Sequence, residues 1–211
     1  RTSVKLNKIK AILYDLDGVL IDACDWHYHS LNRALKEAVG ITISRDDHVS
    51  TFNGLPTTTK LKMLGLDSEK SKEVWKNKQK YTIEVINEMA HNSPTKRRLH
   101  EFTKMIGVKS CCVTNAIRKS AELMLDKTGQ MEYMEFIVAN EDVEDNKPSP
   151  ECYMLAMSKL RLLPTECLII EDSPKGVEAA DASGAHVLEV ENSGGVSKNT
   201  VKEALMEVSM L

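Results

Sequence analysis

The sequence predicts an α/β fold: a Rossmann-like core of parallel strands covered by helices, with an all-α cap domain inserted near its beginning. Three observations predict it. From residue 92 onward, short apolar runs of strand length alternate with amphipathic stretches of helical period, the pattern of a parallel sheet joined by crossover helices. One more apolar run, residues 11–14, stands apart at the start of the chain. Between them, residues 23–91 carry helical periodicity and no strand signal, so the core reads as 1–22 with 92–211 and the cap as 23–91.

Within the insertion, residues 25–39 put Leu31, Ala34, Leu35 and Ala38 on one helical face, and Gly40 stops the helix. Ser44 is an N-cap with Asp47 in the following turn. Residues 52–60 are a turn leading into a short helix that runs through Leu64. From residue 68 a long lysine-rich helix carries Val74, Tyr81, Val85 and Met89 on its apolar side, and the lysines between 60 and 80 read as a solvated face. Beyond the linker 91–94, helices are expected at 94–105, 115–128, from Ser149-Pro150-Glu151 onward with proline at the first helical position, at 174–182 and at 197–208. Strands are expected at 108–113, 136–139, 167–170 and 186–190.

Bulk properties narrow the function. The 211 residues suffice for a substantial core, and a net charge of −3 with mixed signs gives no basic footprint for nucleic acid. The five cysteines form no Cys-x-x-Cys pair, and Cys111, Cys112 and Cys167 fall inside apolar runs, which fits the reducing cytoplasm. No signal-peptide pattern opens the sequence and no apolar run is long enough to span a bilayer, so a soluble monomer without membrane or nucleic-acid partners is expected.

The first apolar run ends in Asp15-Leu16-Asp17-Gly18. In an extended chain residues two apart share a side, so two carboxylates would face one space and call for a cation, a proton or both. Asp-Gly between apolar runs is equally a hairpin signal, and the two readings are compatible. What decides between them is the other strand ends, because ligands of open parallel sheets bind beyond the strands' carboxyl ends. The second strand delivers Thr114-Asn115, the third leads to Lys147-Pro148, and the fourth delivers Glu171-Asp172-Ser173. Each has a plain structural alternative: a helix cap at Thr114-Asn115, an exposed loop lysine at Lys147, an acidic helix start at Glu171-Asp172. Together they supply the parts of phosphoryl transfer. Asp15, Asp172 and a backbone carbonyl make an oxygen site for Mg2+, which with Lys147 offsets phosphate charge. Thr114 and the N–H groups of a following helix N-terminus hold phosphoryl oxygens, one aspartate attacks phosphorus and its neighbour moves the proton.

Asp15-Leu16-Asp17-Gly18-Val19, Thr114, Lys147-Pro148-Ser149-Pro150-Glu151 and Glu171-Asp172-Ser173, in that order, resemble the four motifs of the haloacid dehalogenase superfamily, and more narrowly its β-phosphoglucomutase and phosphatase-like branch with a helical cap. The resemblance spans essentially the whole chain. It implies Asp15 as nucleophile, Asp17 as general acid and base, and Mg2+ bound by Asp15, the Asp17 carbonyl and Asp172 with Glu171 close by. Aspartate at 17 favours phosphate chemistry, since the dehalogenases lack it. For the cap, the resemblance implies substrate contacts from the loop around Gly54-Leu55-Pro56-Thr57 and from His27. Where the mutase carries an arginine for the distal phosphate, this chain has Thr57, with Arg45, Lys60 and Lys62 as possible replacements. The expected function is a Mg2+-dependent phosphatase of a small phosphorylated metabolite. Its rivals are a sugar phosphomutase and a catalytically silent binding protein on the same fold.

Overall fold

The computed structural model describes residues 8–52 and 57–210, which divide into two compact units, Arg1–Asp22 with His91–Leu211 and Ala23–Ala90. The first holds a five-stranded parallel sheet: β1 (Ala11–Tyr14), β2 (Lys109–Val113), β3 (Met134–Val138), β4 (Cys167–Glu171) and β5 (His186–Glu189), in the spatial order β3-β2-β1-β4-β5. The central position of β1 follows from its composition. All of Ala11, Ile12, Leu13 and Tyr14 are fully buried, which only a strand covered on both faces achieves. Both its neighbours are parallel, so Asp-Gly makes no hairpin; residues 16–21 close instead into a tight turn in which the Leu16 carbonyl accepts from the N–H groups of Val19, Leu20 and Ile21.

Ala11 and Leu13 pack with Cys111, Val113, Cys167 and Ile169 against helices α7 (Glu151–Leu160) and α8 (Pro174–Ala182). By the period of two, Tyr14 faces the other side, where its ring meets His100 of α5 (Pro94–Met105) edge-on at 5.7 Å. His100 stacks on Tyr133 and its Nε2 lies 2.9 Å from Gln130 Oε1. Burial pushes its pKa down to about 4, with Gln130 opposing and Lys96 assisting. Between about 6.5 and 4 the unfolded chain therefore binds a proton that the folded chain refuses, and stability falls as pH drops through that window. His100→Gln is expected to reduce the loss of unfolding free energy between pH 7 and pH 5 by about 2 kcal/mol, measured by urea titration at the two pH values.

The second unit is all helix: α1 (Cys24–Val39), α2 (Arg45–Asp47), a wide turn at His48–Phe52, α3 (Thr57–Met63) and α4 (Ser68–Met89). Leu31, Ala34 and Leu35 of α1 pack with Ile43, Phe52, Leu61 and Val74, the face that the 3.6-residue period marks. Gly40 ends α1 in the left-handed region (φ 71°), and Ser44 caps α2 by accepting from the Asp47 N–H. Two expectations need correction. Met89, at the end of α4, is exposed, and the lysine face is not uniformly solvated. Lys60 and Lys78 are only 3% and 5% exposed, Lys78 because it lies one turn beyond Val74 on the buried side of α4.

In the core unit, α6 (Arg118–Lys127) begins three residues later than its sequence pattern suggests, and α9 (Lys198–Met210) is displaced toward the C-terminus. Pro150 precedes α7 as its N-cap residue and does not occupy the first helical position. No helix among the described residues is long and apolar enough to cross a membrane.

Candidate active site

Sheet register builds the site. Tyr14 is level with Cys112 on one side and Ile170 on the other, and the Asp15 N–H continues the ladder onto the Ile170 carbonyl at 3.1 Å. One residue further along each strand come Asp15, Val113 and Glu171. Thr114 follows, its N–H on the Val138 carbonyl at 2.9 Å. Three neighbouring strands thus release their polar residues at one level, and each strand's apolar run ends where the sheet does.

Lys147 enters from the loop after β3, beside a cis peptide to Pro148. Its Nζ donates to Asp15 Oδ1 at 2.9 Å, Glu171 Oε1 at 2.7 Å and the Val113 carbonyl at 2.8 Å, which uses the ammonium's full donor capacity. The loop is held by Asn115. Its Oδ1 accepts from the Lys147 N–H at 3.1 Å and its Nδ2 donates to the Lys147 carbonyl at 3.4 Å, so the Asn115 amide is engaged with the lysine backbone. The side chain of Lys147 is 4% exposed, so the exposed-loop alternative fails.

Glu171 is fully buried, and its Oε1 also accepts from the hydroxyl of Tyr153 in α7. Its Oε2 is buried without a hydrogen-bond partner. Glycine is required on both sides of the acidic pair: a Cβ at Gly176 would overlap the Glu171 carboxylate, and one at Gly18 (φ 81°) would overlap Asp172. Ser173 caps α8 by accepting from the Gly176 N–H at 3.1 Å, so the helix-start reading of this segment holds alongside the site reading. At β2 the cap reading does not hold. Thr114 Oγ1 accepts from the Ala116 N–H at 3.0 Å, while the Arg118 N–H at the start of α6 is taken by Glu141. The N–H groups beside Thr114 therefore belong to a turn, and the expected helix N-terminus is not there.

Carboxylate oxygens of Asp15, Glu171 and Asp172 all lie within 4.8 Å of one another. Burial, followed by the Asp15 charge, raises the pKa of both Glu171 and Asp172, against which Lys147 pulls that of Glu171 down. Lys147 shows the converse: burial disfavours its charge, yet Asp15 and Glu171 hold its pKa above the ordinary lysine value. Three clustered carboxylates against one ammonium, with a buried carboxylate oxygen still unpartnered, are the environment a hard divalent cation fits. This cluster is built without an Asp17 carboxylate oxygen.

A family model described as haloacid dehalogenase-like hydrolase matches residues 12–190, from β1 to just past β5. The chain belongs to that family. It is 28% identical over 180 residues to a phosphorylated carbohydrates phosphatase of Thermotoga maritima, covering 83% of this chain and 82% of the relative. To a pyrophosphatase of Bacillus velezensis it is 28% identical over 177 residues, covering 84% and 81%. The β-phosphoglucomutase structure from Clostridium difficile superposes with a TM-score of 0.74 at 22% identity, over 96% of this chain and all of that one, and shows the shared fold. The chain is thus a hydrolase of this family, with phosphatases among its relatives.

Of the residues singled out in the sequence, Asp15, Thr114, Asn115, Lys147, Glu171 and Asp172 come together in the core unit. His27 lies in α1 and Thr57 opens α3, both half-buried in the helical unit; Gly54 lies outside the described residues. Tyr153 was missed. Helical spacing groups it with Cys152, Ala156 and Met157 as core, and the one available signal is that a buried tyrosine hydroxyl needs a partner.

Proposed function

We propose that this chain is a Mg2+-dependent phosphatase acting on a small phosphorylated metabolite through a phosphorylated Asp15. The observation that carries the reading is the Asp15 carboxylate at the end of the central strand, held at 2.9 Å by a buried ammonium and adjoined by two further carboxylates. An oxygen of Asp15 attacks phosphorus as the bond to the ester oxygen breaks, and Asp17 gives its proton to the departing alkoxide. Asp17 then takes a proton from water. That water's oxygen attacks phosphorus, inorganic phosphate leaves and the Asp15 carboxylate returns. Lys147 keeps Asp15 in place and offsets part of the charge, and the Thr114 hydroxyl donates to a phosphoryl oxygen. Mg2+, held by Asp15, Asp172, Glu171 and the Asp17 carbonyl, would supply the remaining positive charge. The helical segment 23–91 serves as the cap, with Thr57, Gly54 and His27 as substrate contacts. Five free thiols suit a reducing cytoplasm.

A second reading is the sugar phosphomutase, with Arg45, Lys60 or Lys62 in place of the mutase arginine. Of the three cations that could replace the mutase arginine, Arg45 pairs with Asp25, Lys62 is exposed and Lys60 is buried. A mutase needs a charged group for the distal phosphate, because a charge-assisted contact is about twice as strong as a neutral one. Incubation with glucose 1-phosphate and a trace of glucose 1,6-bisphosphate, alongside a panel of other phosphomonoesters, separates the readings. Release of inorganic phosphate is expected to dominate. Efficient glucose 6-phosphate formation with little phosphate would replace the phosphatase by the mutase.

A further inference from the structure

We propose that Tyr153 is a positioning residue for the acidic cluster, locking the Glu171 carboxylate in the orientation in which it serves the cation; this rests on the metal site proposed above. One side chain touches both charged partners. The Tyr153 hydroxyl donates to Glu171 Oε1, the same oxygen that accepts from Lys147, and the Tyr153 ring lies 4.9 Å from the Lys147 ammonium. Among the described residues, the hydrogen bonds to the Glu171 carboxylate thus fall on one oxygen, while Oε2 is buried with no partner.

Two donors from different elements, the loop after β3 and the first turn of α7, fix the plane of the carboxylate. A single donor on a flexible lysine chain leaves it free to turn. Because Lys147 also bonds Asp15 and the Val113 carbonyl, it has no further N–H with which to replace the tyrosine. Water offers no substitute where both Glu171 and Tyr153 are fully buried. Packing alone does not call for tyrosine here. Phenylalanine would fill the same volume, and a buried hydroxyl costs stability unless it is bonded.

Tyr153→Phe retains the ring beneath Lys147 and removes only the hydroxyl. Calorimetric titration of Mg2+ into the EDTA-treated, desalted full chain is expected to show binding weakened by roughly ten- to a hundredfold, the scale on which outer partners of metal ligands act. A variant that binds Mg2+ as tightly as the unsubstituted protein, even with a lowered unfolding midpoint in EDTA, overturns the proposal and leaves Tyr153 a packing residue. If the variant does not fold, the unsubstituted protein labelled at the tyrosine ζ-carbon decides. A buried tyrosine resonance must shift on Mg2+ addition, and no shift in any tyrosine overturns the proposal. Absence of Mg2+ binding by the unsubstituted protein would overturn the metal site itself, a result separable from equal binding by both proteins.

Discussion

Asp15→Asn is expected to abolish turnover while the fold survives. The amide matches the carboxylate in shape, and the backbone N–H of residue 15 keeps its place on the Ile170 carbonyl. It has no anionic oxygen to attack phosphorus. The loss should reach roughly four to six powers of ten, the scale seen when a nucleophile is removed from other enzymes. The variant also loses one charge from a cluster in which Asp15 disfavours the charged forms of Glu171 and Asp172. In EDTA it should therefore be no less stable toward urea than the unsubstituted protein, even though Lys147 loses one ionic partner. Substantial residual turnover in a folded Asp15→Asn protein would contradict the nucleophile assignment.

Metal removal has the next largest expected effect. With Glu171 and Asp172 held near Asp15 and one ammonium to balance them, the site presents oxygen donors and excess negative charge. EDTA is expected to eliminate phosphate release and Mg2+ to restore it. Ca2+ should bind without restoring it, since it takes more ligands at longer distances and misplaces groups whose reaction tolerates little displacement. Mg2+ at one hundred times its dissociation constant should stabilise the fold by about 2.7 kcal/mol, measured as a shift in urea unfolding with and without EDTA. Full activity in EDTA would contradict the cofactor assignment.

Why the core strands could be read in advance, and parts of the site could not, follows from the range of the interactions. Ala11 to Tyr14 announce a doubly buried strand by composition alone, and parallel topology then brings Asp15, Thr114 and Glu171 together, because the carboxyl ends of parallel strands lie on the same side. Other features depend on partners distant in sequence. Arg118 starts α6 late because Glu141, 23 residues away, accepts from its N–H. Nothing in the sequence around Asn115 shows that its amide holds the Lys147 backbone, 32 residues on. Lys78 sits in a lysine-rich stretch whose composition suggests solvent, yet helix phase places it beside Val74. Tyr153 looks like core because it is core, and only the position of Glu171 gives its hydroxyl a second role.

The central claim is that phosphate passes through Asp15 before water receives it, and the stereochemical course at phosphorus tests it most directly. Each in-line displacement inverts the phosphorus centre, so two in succession restore it. A substrate ester made chiral at phosphorus with sulfur and oxygen isotopes, hydrolysed in isotopically labelled water, should yield product with net retention of configuration. Net inversion would mean that water attacks the substrate in a single step, and would contradict a covalent role for Asp15.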